Sequence, residues 1–291
     1  MSNIINAVSA KTNFVETGGR KIAYRSIGSG QPIILVNRFR GNLDTWDPAF
    51  LDGLASTFNV ITIDYSGIGL STGECTTDVY EMAKDVKDIA EALGLTKIIM
   101  AGWSLGGMVA QAVMSLYPEL VSHVILIGTS PPIKSNGVSE KLFWERALKP
   151  ITDLDDGTVL FFEPRSESSK NAAKLSFGRI LKRTEDLDNQ VSKECYSNQQ
   201  KAIDEFREDK NGTLAKLESS KIPILVIMGD HDIGFPVEDW FRLVGKLPST
   251  QLIVMPQAGH GPQHQYPDLS AKYIASFIEN SKESNQQRSG L

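Results

Sequence analysis

The stretch Ile98-Ile99-Met100-Ala101-Gly102-Trp103-Ser104-Leu105-Gly106-Gly107 reads as a buried strand that turns at once into a helix. Four apolar residues with no polar alternation suit a strand covered on both faces. Helical spacing then runs from Leu105 to Tyr117 and stops before Pro118. The turn fits G-x-S-x-G, with Ser104 at its sharpest point. Side chains two residues before and after the serine would collide, so Gly102 and Gly106 supply backbone room. The Leu105 N–H, first in the helix, has no partner inside it and is available to an oxyanion. A serine in an ordinary glycine-rich turn is the competing reading, and the strand before it and apolar helix after it weigh against that.

Working outward, short β-branched runs alternate with helical patterns, the signature of a parallel sheet with crossover helices. Phe14–Glu16 and Ile22–Arg25 flank a hairpin turn at Thr17-Gly18-Gly19-Arg20. Further strand-like runs are Pro32–Val36, Val60–Ile63, Val124–Ile127, Ile224–Met228 and Leu252–Met255. Met82, Val86, Ile89 and Leu93 form one apolar helix stripe, for which Asp78 and Glu81 supply a capping box. Tyr266 to Glu279 reads as another helix. From about Pro131 to Ser220 the alternation lapses into helical patterns, with Thr158–Phe162 the one strand-like run, and this reads as an insertion.

The 291 residues are 41% hydrophobic and 22% charged, an ordinary balance for a folded chain and too apolar for a disordered one. Thirty Lys and Arg against 35 Asp and Glu give a net charge of −5, without the basic stripe of a nucleic-acid binder. Two cysteines, Cys75 and Cys195, and four histidines leave few ligands for a structural metal. The cysteine count reads as that of a chain in a reducing compartment. Met1 to Asn13 carries no signal-peptide pattern, and no run is long enough to span a membrane, so the expected location is cytoplasmic.

A serine hydroxyl is a weak nucleophile and needs a base oriented by an acid. Downstream, Met228-Gly229-Asp230-His231-Asp232 follows one strand and Ala258-Gly259-His260-Gly261 follows the last. Both lie at carboxyl ends of strands, the edge where open parallel sheets bind ligands. With the order Ser, acid, His, the chain resembles the α/β-hydrolase superfamily over roughly Phe14 to Glu279. The resemblance implies an α/β fold with a mostly parallel sheet flanked by helices. Residues 1–130 and 221–280 would form the core, 131–220 a helical cap, and 281–291 a disordered tail.

The family places its acid three residues after the strand-ending glycine, with proline four further on, which selects Asp232 and Pro236 over Asp230. Its histidine loop has proline seven residues after the histidine, which fits His260 and Pro267; His123, His231 and His264 match no such position. Where relatives read H-G-x-x-G, this chain has Asn37-Arg38-Phe39-Arg40-Gly41, so the second oxyanion donor falls on the Phe39 N–H. Asn37 can still hold the loop, whereas Arg38 gives up a glycine's backbone freedom. Arg38 and Arg40 are candidates for reading an acidic group on the substrate, with a solvated surface charge the favoured reading of Arg40. Asp64–Ser71 resembles the family's D-x-x-G-x-G-x-S turn, with no catalytic role.

The resemblance therefore implies acyl transfer, with Ser104 as nucleophile, His260 as base and Asp232 orienting it. The N–H groups of Phe39 and Leu105 would form the oxyanion hole, and Arg38, Trp103 and Phe161 would contact the substrate. A small carboxylic ester or lactone is the expected substrate, a small molecule the only partner implied, with no metal or organic cofactor. A cofactor-free haloperoxidase or perhydrolase, a lyase, and a ligand-sensing inactive relative are the alternatives.

Overall fold

Gly18 and Gly19, both with positive φ, turn a hairpin of β1 (Asn13–Thr17) and β2 (Arg20–Gly28). Strands and helices then alternate: β3 (Gln31–Val36), α1 (Pro48–Ala55), β4 (Phe58–Ile63), α2 (Val79–Ala92), β5 (Ile98–Trp103), α3 (Leu105–Leu116) and β6 (Val121–Ile127). Next come α4 (Lys141–Ala147), α5 (Leu154–Phe161), α6 (Glu167–Ile180), α7 (Lys193–Phe206) and α8 (Thr213–Ser219). The pattern resumes with β7 (Ile224–Gly229), α9 (Glu238–Phe241), β8 (Thr250–Met255), α10 (Pro262–Gln265) and α11 (Pro267–Ser289). This computed structural model describes residues 6–135, 139–150 and 153–289, with the backbone alone over 282–289.

The eight strands form one sheet in the order β1-β2-β4-β3-β5-β6-β7-β8, in which β2 pairs antiparallel with both β1 and β4 and every other neighbouring pair is parallel. Alternation along each strand sends side chains to two cores. Ile34 and Val36 of β3 pack with Met100 of β5 beneath α2 and α3, while Ile33 and Leu35 pack with Ile99, Ala101 and Trp103 beneath α1 and α11. From β3 the chain moves one way to β4 and then crosses back to β5, so β3 and β5 flank the point where strand order reverses. Such a switch point opens a crevice at the carboxyl ends, and the segments leaving β3 and β5 begin at Asn37 and Ser104.

Four local readings change. Thr158–Phe162 is not a strand; through Phe161 it is the end of α5, which Asp153 caps in a reciprocal box with Asp156. A five-residue apolar run fits either element, and the acidic first turn decides for helix. Asp78 caps α2 by accepting from the Tyr80 N–H, but Glu81 pairs with Lys84 instead of closing a box. Helix α11 continues to Ser289, through most of the tail expected to be disordered, because neither proline nor glycine interrupts it before Gly290. The fourth change concerns the cysteines. Cys75, in the loop before α2, and Cys195, on α7, form a disulfide across 120 residues with Cα atoms 5.2 Å apart, in place of the reduced thiols expected. No described helix is long and apolar enough to cross a membrane.

Closing so long a loop restricts the unfolded chain, which typically contributes about 2–4 kcal/mol. A thiol reagent should find no free cysteine in the denatured, unreduced chain and both after reduction. Urea unfolding should show the reduced protein less stable by about that amount. Two titratable thiols in the unreduced chain would contradict the cross-link.

Candidate active site

Ser104 sits between β5 and α3 with φ 59 and ψ −119, a conformation that costs a non-glycine residue about 1–3 kcal/mol. The surroundings hold it there. A Cβ on Gly102 would strike the carbonyl of Gly106, and one on Gly106 would strike those of Val36 and Asn37. The elbow is thus pressed against the end of β3 with no room for side chains. The Ser104 carbonyl accepts from the N–H groups of Gly107 (2.9 Å) and Met108 (3.3 Å) and from the Thr129 hydroxyl (2.7 Å). Trp240 Nε1 donates to the Thr129 carbonyl at 2.7 Å, which ties α9 to the same turn. Neither Thr129 nor Trp240 carries a motif, and only the fold brings them here.

His260 follows β8 on a loop pinned at its own carbonyl, which accepts from Trp103 Nε1 at 2.7 Å. Its Nδ1 lies 2.7 Å from Asp232 Oδ2, while Asp232 Oδ1 accepts from the N–H groups of Gly234 (2.9 Å) and Phe235 (2.8 Å). A carboxylate so held faces the imidazole with one oxygen and fixes the ring's proton on Nδ1, leaving Nε2 as the basic nitrogen. Asp230 is exposed and accepts instead from the Ala258 N–H. Phe235 stacks on the imidazole (5.0 Å, 15°) and Phe143 meets it edge-on (5.5 Å). Phe235 was not singled out in the sequence; its position three residues after Asp232 was the available signal.

After β3, Asn37 Nδ2 donates to the Asn42 carbonyl and the Thr45 hydroxyl, both at 2.6 Å, and Asn37 Oδ1 accepts from the Arg38 N–H. Asn37 thus closes the loop on itself. Arg38 has no positive φ; the left-handed residue of this loop is Arg40 (φ 56). The glycine missing at position 38 therefore imposes no strain there. Among the described residues the N–H groups of Phe39 and Leu105 donate to no protein acceptor.

Ser104 and His260 line one cavity of about 660 Å³ between this loop and the α4–α8 segment. Ser104 Oγ makes no hydrogen bond to the imidazole; such bonds often tighten only when substrate arrives. Arg38, Phe39 and Phe161 line the cavity as well. Trp103, expected to contact the substrate, does not. It is fully buried behind the lining, enclosed by Trp46, His264, Phe161 and the Arg38 guanidinium. Arg40 is no solvated charge: Nη1 donates to the carbonyls of Ala147 (2.8 Å) and Lys149 (2.6 Å), and Nη2 to that of Pro150 (3.1 Å).

The other histidines have structural surroundings. His123 is buried beside Ser281. His231 contacts Glu163 and Glu140, tying the chain around α4 and α5 to the turn that carries Asp232. His264 is buried against Trp103, and its Nε2 accepts from the Asp47 N–H. Among the described residues one carboxylate cluster, Asp153, Asp155 and Asp156, has the spacing of a metal site, but Arg146 and Lys149 already pair with it.

A family model described as alpha/beta hydrolase fold matches residues 31–267. An alpha/beta hydrolase fold protein from Chitinophaga pinensis superposes with a TM-score of 0.84 at 29% identity, covering 94% of this chain and 99% of that one. A Bacillus subtilis (strain 168) protein described as a candidate 2-succinyl-6-hydroxy-2,4-cyclohexadiene-1-carboxylate synthase is 26% identical over 88% of this chain and 93% of its own. A 2-hydroxy-6-oxononadienedioate/2-hydroxy-6-oxononatrienedioate hydrolase from Paraburkholderia phymatum is 24% identical over 94% of this chain and 96% of its own.

Burial, with Arg38 and Arg179 adding to it against the pull of Asp47, pushes the His264 imidazole down to about 4. Unfolded, it titrates near its ordinary value of about 6.5. Between those values the unfolded chain binds a proton that the folded chain refuses, so stability present above about pH 6.5 is lost as pH falls toward about 4. Urea unfolding at pH 7.5 and 4 should show a loss of about 3 kcal/mol from this group. It would be read as the difference from His264→Gln, and equal pH dependence in both proteins would contradict the assignment.

Proposed function

The chain belongs to the alpha/beta hydrolase fold family, and we propose that it is a serine hydrolase of a small carboxylic ester or lactone. The observation that carries this reading is that Ser104 and His260 line the same cavity, with Asp232 held behind the imidazole. Ser104 Oγ attacks the carbonyl carbon as His260 Nε2 takes its proton, and the Asp232 carboxylate steadies the imidazolium. The developing oxyanion is held by the N–H groups of Phe39 and Leu105, each such donor commonly contributing about 10²–10³ in rate. The imidazolium returns its proton to the departing alkoxide. Water, deprotonated by the same nitrogen, then cleaves the acyl-enzyme to give the acid and restore Ser104.

Two features support ester or lactone chemistry. The nucleophile is a serine, which leaves an acyl-enzyme open to water. The cavity falls within the usual span of small-molecule sites, about 300–1,000 Å³. Helices α4–α8 act as the cap in this reading and, with Phe143, Leu160 and Phe161, supply its apolar wall. Phe161 reaches the imidazole as well, nearly parallel to it at 6.4 Å.

Hydrolysis of p-nitrophenyl esters of increasing chain length tests the reading. Wild type should turn over short acyl chains, with Ser104→Ala slower by at least about 10³-fold and Asp232→Asn by about 10⁴-fold, both folded. Equal turnover in wild type and Ser104→Ala would overturn the nucleophile. Silence on esters and lactones together with peroxide-dependent activity would move the chemistry to a perhydrolase.

A further inference from the structure

The cavity beside Ser104 holds positive charge that nothing in its wall neutralises. Arg38 and Arg40 lie in the lining, Lys193 joins them from α7, and no aspartate or glutamate is present among the described lining residues. The two arginines behave differently. Arg40 is spent on structure: its guanidinium is consumed by three backbone carbonyls over 147–150 and lies over Tyr196, which fastens the loop to the insertion.

Arg38 has no comparable work. Its guanidinium donates once, from Nη1 to the carbonyl of the adjoining Phe39, and its buried Nε has no partner. No carboxylate is paired with it among the described residues, in contrast to Arg25 with Asp44 and Arg179 with Asp47. Its charge instead lies over the rings of Phe161 (4.4 Å) and Trp103 (5.3 Å), an orientation that holds the planar group still. Burial, with repulsion from Arg40, pushes Arg38 down to about 9, so it stays cationic at neutral pH at a cost that only an anion would relieve. Phe161 lies beside both this guanidinium and the His260 ring, so the unpaired cation and the reacting centre open onto one cavity.

Resting on the serine-hydrolase reading above, we propose that Arg38 binds a free carboxylate of the substrate. The substrate class is thus a monoester or lactone that carries a second, ionised carboxyl group. A guanidinium presents parallel N–H donors that match the two carboxylate oxygens, and a hydrogen bond between charged groups is about twice as strong as a neutral one. The carboxylate replaces the missing counter-charge, while the scissile carbonyl is left at Ser104.

The test compares two p-nitrophenyl esters of similar length, the hemiglutarate and the valerate, which differ in a terminal carboxylate against a methyl group. Wild type should favour the hemiglutarate by about 10- to 100-fold in kcat/KM, expressed mainly in KM. Arg38→Gln should collapse that ratio toward one, and Arg38→Lys should keep part of it. A wild-type ratio near one, or an equal loss on both esters in Arg38→Gln, would overturn the proposal, and the first needs no variant to fold. Turnover of the valerate reports separately on Ser104. If neither ester reacts, the hydrolase reading fails while glutarate still decides on Arg38. Thermal stabilisation of wild type but not of folded Arg38→Gln supports the carboxylate site, and none in either contradicts it.

Discussion

Ser104 can hold its left-handed conformation only because two backbone segments close on it. On one side the first turn of α3 passes the end of β3 so tightly that Gly106 has no space for a methyl group. On the other, Thr129, leaving β6, donates its hydroxyl to the Ser104 carbonyl. The strained turn is therefore supported by three neighbouring parallel strands, and the same contacts set the distance between the elbow and the loop that begins at Asn37. That loop carries Phe39 and Arg38, so its shape follows from the elbow as much as from its own hydrogen bonds. His260 is tied in from behind through Trp103, the residue before the serine. One packing constraint thereby places the proposed nucleophile, its proposed oxyanion donors and the imidazole together.

The electrostatics of the cavity follow from what is paired and what is not. Asp232 is buried, and its charge is met by two backbone N–H groups and by the imidazole. Phe235, Phe143 and Phe161 exclude water from the ring without offering it another polar partner. Elsewhere an arginine meets its counter-charge, Arg20 with Asp85 and Asp88 being an example. Arg38 breaks this pattern at the place where a ligand would sit. A cation held beside aromatic rings with no counter-ion is costly in a resting protein, a cost that the proposed substrate carboxylate would relieve.

The sequence made the elbow legible because Gly102, Ser104 and Gly106 occupy fixed offsets beside an unmistakable buried strand. The eight strands were likewise marked by apolar runs alternating with helical stripes, whereas their order in the sheet came from the fold. The family resemblance singled out Asp232 over Asp230 in the acid turn, and Asp232 is the carboxylate that meets His260. What stayed hidden depended on long-range contacts. The direction of Trp103 is set by which face of β5 it occupies, and the engagement of Arg40 joins residues more than 100 positions apart. The pairing of Cys75 with Cys195 requires α7 to lie over the loop before α2, which two isolated cysteines do not announce. Helix α5 shows the limit of short patterns, since its apolar end looks extended until the capping acids before it are counted.

The central claim is that Ser104 is a nucleophile activated by His260, and covalent capture tests it without any assumption about the natural substrate. Intact-mass measurement after treatment with a fluorophosphonate should show a single adduct, mapping by peptide sequencing to Ser104. Its rate of formation should fall by about 10²–10⁴ in His260→Ala. An unlabelled wild-type protein, or labelling at the same rate in Ser104→Ala, would contradict the account.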